Sequence, residues 1–170
     1  MAKIEFPSII VNLSNFIADK AQESIEFPIS VNFSHQEDRF SLTKPIKGKV
    51  TVEKYQEELQ FHFKLQTEMT LVCDRCLSTI NKKLKLNFKR LGTFSSASDD
   101  EIKMTQQSHP KPEFDEGVRI SSDNLVNLFV PIRQEILSIV PAKILCKKTC
   151  RGLCLVCGVN LNNKICKHSK

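Results

Sequence analysis

Five of the seven cysteines fall in one stretch, Cys146 to His168, with the sequence CKKTCRGLCLVCGVNLNNKICKH, and no acidic residue lies inside it. A CxxC pair bends the backbone so that two thiolates face one centre, and zinc takes four such ligands tetrahedrally at about 2.3 Å from each sulfur. The stretch therefore reads as a basic knuckle closed on a metal. The other two cysteines, Cys73 and Cys76, stand far upstream as CDRC, which makes much of the intervening chain a scaffold that brings two clusters together.

Eight candidate ligands result: Cys73, Cys76, Cys146, Cys150, Cys154, Cys157, Cys166 and His168. They divide into two tetrahedral sets in more than one way. The simplest division closes Cys154, Cys157, Cys166 and His168 locally and joins Cys73 and Cys76 to Cys146 and Cys150. A rival joins Cys73 and Cys76 to Cys154 and Cys157. The spacing alone leaves both open. Gly152 before the LCLVC pair and Gly158 after it stand where a backbone turned around a metal often needs positive φ. The same ligands suit an iron–sulfur cluster. A thioredoxin-like role for CDRC is weak, since no helical pattern follows it. With four protein ligands no coordination position remains for water, so a zinc held this way is structural.

The context favours metal over disulfides. No apolar run approaches the roughly 20 residues that span a bilayer, and the first residues lack the succession of a signal peptide, which predicts a cytoplasmic protein with no membrane partner. In a reducing compartment clustered cysteines are more often ligands than bridges, and an odd count fits a disulfide framework poorly. The net charge of +6 is concentrated at one end: Lys143, Lys147, Lys148, Arg151, Lys164, Lys167 and Lys170 have no acidic neighbour in the last thirty residues. Such asymmetry fits contact with a polyanion, although a solvated basic tail is an equally good account of charge alone.

The 170 residues predict one core domain, residues 1–145, with the zinc knuckle, residues 146–170, packed on it. An extended piece and a helical turn at Ser14 to Lys20 are expected first. Ile25 to Phe33 alternates with period two, as does the run through Ile46, Gly48, Val50 and Val52. Leu59, Phe61, Phe63, Leu65, Thr67, Met69, Leu71 and Cys73 keep strict alternation and deliver CDRC at the end of a long strand. Ile80, Leu84, Leu86 and Phe88 follow on the next strand, with Lys83, Lys85 and Lys89 on its wet face. A mobile acidic loop is expected at about 95–117. Ser121-Ser122-Asp123 predicts an N-cap for a helix running from Leu125 to Val140, kinked or divided at Pro131. The fold class is α+β: an antiparallel β-sheet meander or partly open barrel with a C-terminal helix and a cysteine-rich zinc knuckle.

Catalytic readings find little support. His35, His62 and His109 are scattered without a nucleophile or paired carboxylate at an interpretable spacing, and no phosphate-binding glycine loop occurs among the five glycines. The expectation is a protein with no catalytic residues and no small-molecule substrate.

Cys73-Asp74-Arg75-Cys76-Leu77 at a strand end, the acidic stretch, a helical segment ending RQEILSIVP, and Cys146-x3-Cys150-Arg-Gly-Leu-Cys-x2-Cys-Gly-x2-Leu-Asn occur in this order. In these features, from roughly Ile46 to the C-terminus, the chain resembles the YceD family, the large ribosomal RNA subunit accumulation proteins. Where that family commonly closes with C-x-C, this chain has Cys166-Lys167-His168, and histidine is a chemically reasonable zinc ligand. The resemblance implies a non-catalytic factor in large-subunit rRNA accumulation, with rRNA, a pre-ribosomal particle, or ribosomal and assembly proteins as partners. The candidate cations for RNA phosphates are Arg75, Lys147, Lys148, Arg151, Lys164 and Lys167, with hydrogen bonds inside the turn an equal alternative for Arg75. A zinc-stabilised protein–protein adaptor is the competing function.

Overall fold

The computed structural model describes residues 8–32, 36–37, 40–56, 58–94 and 117–168. Of the expected acidic loop, residues 95–116 lie outside the described residues, as do His35 and His109. The described chain is mostly strand, curled into a half-barrel with one short C-terminal helix, as the alternating runs predict.

In order the elements are β1 (Ile10–Asn12), α1 (Ser14–Ala18), β2 (Ser24–Val31), β3 (Gln36–Glu37), β4 (Phe40–Leu42), β5 (Ile46–Tyr55), β6 (Glu58–Val72), β7 (Thr79–Phe94), β8 (Val118–Ile120), β9 (Leu125–Asn127) and α2 (Phe129–Ile139). Strand β6 is the spine. It pairs antiparallel with β7 along one edge, and along the other with β5 near its start and β4 near its end. β2 pairs with β5, while β7 continues through β8 and β9 to β1. One pair departs from the antiparallel expectation, because β8 runs parallel to the last residues of β7, with Gly92, Thr93 and Phe94 opposite Val118, Arg119 and Ile120.

Period two sorts β6 cleanly. Leu59, Phe61, Phe63, Leu65, Thr67, Met69 and Leu71 are buried, and the residues between them face outward. Val50 and Val52 from β5 and Leu84, Leu86 and Phe88 from β7 fill the same interior. Phe63 and Phe88, directly opposite in the register, stack at 4.5 Å between ring centroids. The one buried polar group of this row, Thr67, donates its hydroxyl to Lys44 O at 2.8 Å. At Gly48 a Cβ would stand 2.1 Å from Lys64 O, so glycine permits the close approach of β5 to β6. Leu13 and Phe16 at α1 cover the same core.

The helix begins later than its sequence periodicity predicts. Ser121 to Asn124 form a β-turn: Asn124 N–H donates to Ser121 O at 3.0 Å, Leu125 N–H donates to Ser121 Oγ at 2.9 Å, and Asn124 adopts φ 59. Ser121 is therefore no N-cap, and Leu125–Asn127 is a strand held by β8 and β1. Long-range pairing outweighs the local helical spacing there. Phe129 N–H donates to Asn127 Oδ1 at 3.0 Å, and Pro131 falls in the first turn of α2. An absent amide there removes no intrahelical bond, so the proline starts the helix instead of kinking it. Phe129, Pro131, Ile132 and Ile136 face the core, and an Arg90–Glu135 ion pair at 2.8 Å fastens α2 to β7. Val140 is extended before Pro141, where the helix ends.

Candidate metal centres

The end of β6 meets the segment after α2 through one clasp. Asp74 N–H donates to Ile144 O at 2.8 Å, and Ile144 N–H donates to Asp74 Oδ2 at 2.6 Å. Ile144 is buried, so the clasp sets Cys146 beside the CDRC turn. The result is a cluster of Cys73, Cys76, Cys146 and Cys150 whose sulfurs all lie within 4.8 Å of one another. A second cluster gathers Cys154, Cys157, Cys166 and a ring nitrogen of His168 within the same distance. Of the two divisions open to the sequence, the chain adopts the local one and does not bring Cys73 and Cys76 together with Cys154 and Cys157 as one group.

The two CxxC turns share one construction. In each, the first cysteine's carbonyl accepts an N–H from the residue following the second cysteine: Leu77 to Cys73 at 3.0 Å, and Gly158 to Cys154 at 2.8 Å. That residue has positive φ in both, 56 for Leu77 and 69 for Gly158. Glycine adopts this conformation without strain, whereas leucine does so at a cost of about 1–2 kcal/mol. A metal-closed turn supplies a reason for the leucine to be held there.

The donor geometry fits a tetrahedral metal. With sulfurs at about 2.3 Å from a common centre, the edges of the tetrahedron are about 3.8 Å. Sulfur–sulfur separations are 3.9 Å for Cys73 and Cys150, 3.5 Å for Cys76 and Cys146, 3.2 Å for Cys157 and Cys166, and 3.5 Å for Cys154 and Cys166. His168 Nδ1 is 3.3 Å from Cys166 Sγ. All seven cysteines are free thiols.

The electrostatics of the thiols point the same way. Hydrogen bonding to the Ser78 hydroxyl and amide draws Cys76 down to about 6. The backbone N–H groups of Cys157 and Val156 draw Cys154 down to about 6. Burial works to raise Cys73, but the N–H groups of Cys76, Arg75 and Cys146 outweigh it and leave that thiol below its ordinary value. Against these, desolvation and the neighbouring sulfurs push Cys146 up to about 12. The His168 N–H works to lower Cys166, yet the Cys157 and Cys154 sulfurs and burial leave it raised. The first cluster has two thiols set up to ionise, Cys73 and Cys76, and the second has one, Cys154, while in each another is hindered by its neighbours. A divalent cation resolves that conflict by letting the set ionise together.

Around the first cluster stands a polar shell supplied in part by the loop of the second. Asn162 Nδ2 donates to Cys150 Sγ at 3.3 Å and to Asn160 Oδ1 at 2.9 Å. Asn160 Nδ2 donates to Ser78 Oγ at 3.1 Å, and that hydroxyl lies 3.3 Å from Cys76 Sγ. Asn160 and Asn162 follow the Cys154–Cys157 turn in sequence, so the loop that closes the second cluster completes the surroundings of the first. Sequence reasoning did not single out Ser78, Asn160 or Asn162; the only signal was amide and hydroxyl side chains two to five residues after each CxxC.

Arg75 joins the knuckle to the sheet. Its carbonyl accepts Leu153 N–H at 3.2 Å, and its guanidinium donates to Cys150 O at 2.9 Å. Gly152 passes so close that a Cβ would be 3.1 Å from Arg75 O. Of the candidate RNA-facing cations, Arg75 thus has an internal partner while remaining exposed. Lys147, Lys148, Arg151, Lys164 and Lys167 are also exposed and have no acidic partner among the described residues.

Fold and clusters together define a class: a curled β-sheet protein bearing two cysteine-dominated centres, each able to hold a metal ion. The chain belongs to the family described as large ribosomal RNA subunit accumulation protein YceD, whose model matches residues 61–170, from early in β6 through both clusters. Membership ties it to accumulation of large-subunit ribosomal RNA. No curated protein and no solved structure matches it. Among the described residues, no helix is long and apolar enough to cross a membrane.

Proposed function

We propose that this chain is a non-catalytic, cytoplasmic factor that supports large-subunit rRNA accumulation by binding rRNA or a pre-ribosomal particle. Its basic knuckle makes the contact, with ribosomal or assembly proteins as further partners. The observation that carries the reading is the knuckle itself: a stretch from Cys146 to His168 without an acidic residue, its lysines and Arg151 exposed beside two clusters of ligand geometry. Cations held on a rigid loop lose little freedom on meeting phosphates, and RNA rewards fixed positive charge with salt-sensitive binding.

In this reading zinc occupies both clusters. Cys73, Cys76, Cys146 and Cys150 hold one ion, and Cys154, Cys157, Cys166 and His168 the other. Zinc there supplies folding energy to a segment with few apolar anchors, and full protein ligation leaves it structural. The same reading divides the chain into a core, residues 1–145, and a zinc knuckle, residues 146–170. Charge reversal of Lys147, Lys148 and Arg151 tests the contact. Binding to rRNA should weaken, and the slope of log affinity against log salt should fall by about one for each phosphate no longer met by a cation. Undiminished association of that variant with pre-ribosomal particles would sink the assignment.

One observation favours the adaptor reading as an alternative. Leu155, Val156 and Ile165 on the knuckle are 102%, 73% and 94% exposed, an apolar group better suited to a protein than to phosphates. Copurification of a protein partner after nuclease treatment, abolished by changing these residues to serine, would support it.

A further inference from the structure

Between the far end of the sheet and the chain leaving α2 lies a cleft of about 320 Å³. Leu71 from β6, Ile80 from β7, and Pro141, Ile144 and Leu145 from the segment after α2 make its apolar surface. Three lysines line it as well: Lys82 from β7, Lys143 after the helix, and Lys148 inside the knuckle.

Lys82 is the informative residue. On β7 it occupies the face that otherwise carries Ile80, Leu84, Leu86 and Phe88, and its register partner on β6 is the buried Met69. Alternation calls for an apolar side chain there, yet the chain places an exposed cation at the mouth of an apolar cleft. Lys82, Lys143 and Lys148 have no acidic partner among the described residues. Three cations without an acidic partner among the described residues, set around apolar walls, suit a ligand with a flat apolar part and more than one negative charge.

This geometry points to a binding site for an unpaired nucleotide of single-stranded RNA: we infer that the base lies against Leu71, Ile80, Pro141, Ile144 and Leu145, while Lys82, Lys143 and Lys148 meet the flanking phosphates. The inference rests on the RNA-binding reading above and specifies which form of RNA is bound. The cleft's volume is at the lower end of the range for small-ligand sites, enough for one base. A duplex keeps its bases stacked and offers only backbone to a cleft, whereas an unpaired nucleotide offers a base face and charge together. Leu145 and Lys148 flank Cys146, so the first cysteine cluster fixes two of the lining residues.

The test uses the full, metal-loaded chain and two labelled probes, a short oligouridylate and an RNA duplex of equal length, each titrated at several salt concentrations. The unaltered protein should prefer the single strand. Combined Lys82→Glu and Lys143→Glu should lower single-strand affinity by about tenfold or more and remove that preference, with metal content unchanged. 4-Thiouridine in the strand should cross-link to residues 141–148 or to the strand that carries Lys82. An equal loss on both probes, or cross-links confined to Lys164 and Lys167, would overturn the cleft assignment while leaving RNA binding intact. Binding of neither probe by the unaltered protein would overturn both, and capture of an acidic peptide in the cleft in place of the oligonucleotide would replace the ligand.

Discussion

Replacing Asn162 by alanine separates an integrated pair of metal centres from two independent ones. Its amide donates to Cys150 Sγ at 3.3 Å and to Asn160 Oδ1 at 2.9 Å, and its carbonyl oxygen accepts Arg151 N–H at 3.0 Å. A hydrogen bond to a charged acceptor such as a thiolate is worth about 1.5–3 kcal/mol, and a neutral one about 0.5–1.5 kcal/mol. Partial exposure of this site places the total at the low end, about 2.5 kcal/mol, which agrees with the 10–100-fold that outer-shell partners typically contribute to metal affinity. Zinc should therefore leave the Cys73 cluster about 10–100 times more readily in the variant, measured by competition with a chromophoric chelator. Asn162→Asp should be worse than alanine. It keeps an acceptor for Arg151 N–H but sets a carboxylate beside a thiolate. The reasoning fails if the chelator curve of the variant overlays that of the unaltered protein, or if aspartate binds zinc at the first cluster as well as asparagine does.

Three other outcomes follow from the packing and the turns. Gly152→Ala should destabilise the docked knuckle by about 2 kcal/mol, because φ is +77 and the new Cβ would stand 3.1 Å from Arg75 O; Gly158→Ala, with φ +69 and nothing within 4 Å, should cost only the backbone part, about 1 kcal/mol. Thermal denaturation of the metal-loaded proteins would reverse the argument by ranking them the other way. Phe63→Ala removes a fully buried ring stacked on Phe88 and should lower stability by about 3–5 kcal/mol in urea titrations; a loss under 1 kcal/mol would mean that the sheet interior is not packed as described. Paired substitution of Cys73 and Cys76 by serine should remove one zinc and leave the other bound, whereas paired substitution of Cys154 and Cys157 should empty the second cluster and also loosen the first through Asn160 and Asn162.

What was legible beforehand follows from how each feature is encoded. Strand β6 could be read residue by residue because burial on one face imposes period two, and Leu59 through Leu71 obey it without interruption. The start of α2 could not, because Leu125, Leu128, Phe129 and Ile132 satisfy helical spacing while Leu125–Asn127 is drawn into the sheet by partners distant in sequence. The same cause hid the far end of β7, where Gly92 to Phe94 pair with β8 across more than twenty intervening residues. The spacing marked the cysteines as candidate ligands, but two similar CxxC motifs carry no label saying which partner each takes. That choice is made by the Asp74–Ile144 clasp, which sets Cys146 against Cys73, and by Arg75 and Gly152, which seat the second turn alongside. Ser78, Asn160 and Asn162 were invisible for a simpler reason: such residues are common in turns, and only the fold brings them to sulfur.

The central claim is that two four-ligand clusters, one shared between sheet and knuckle and one within the knuckle, are metal centres that build this end of the protein. Native mass spectrometry combined with elemental analysis, on protein purified without added metal, tests it directly. The account predicts two zinc ions per chain, one for each cluster. A single ion, or none with a fully folded knuckle, would contradict it.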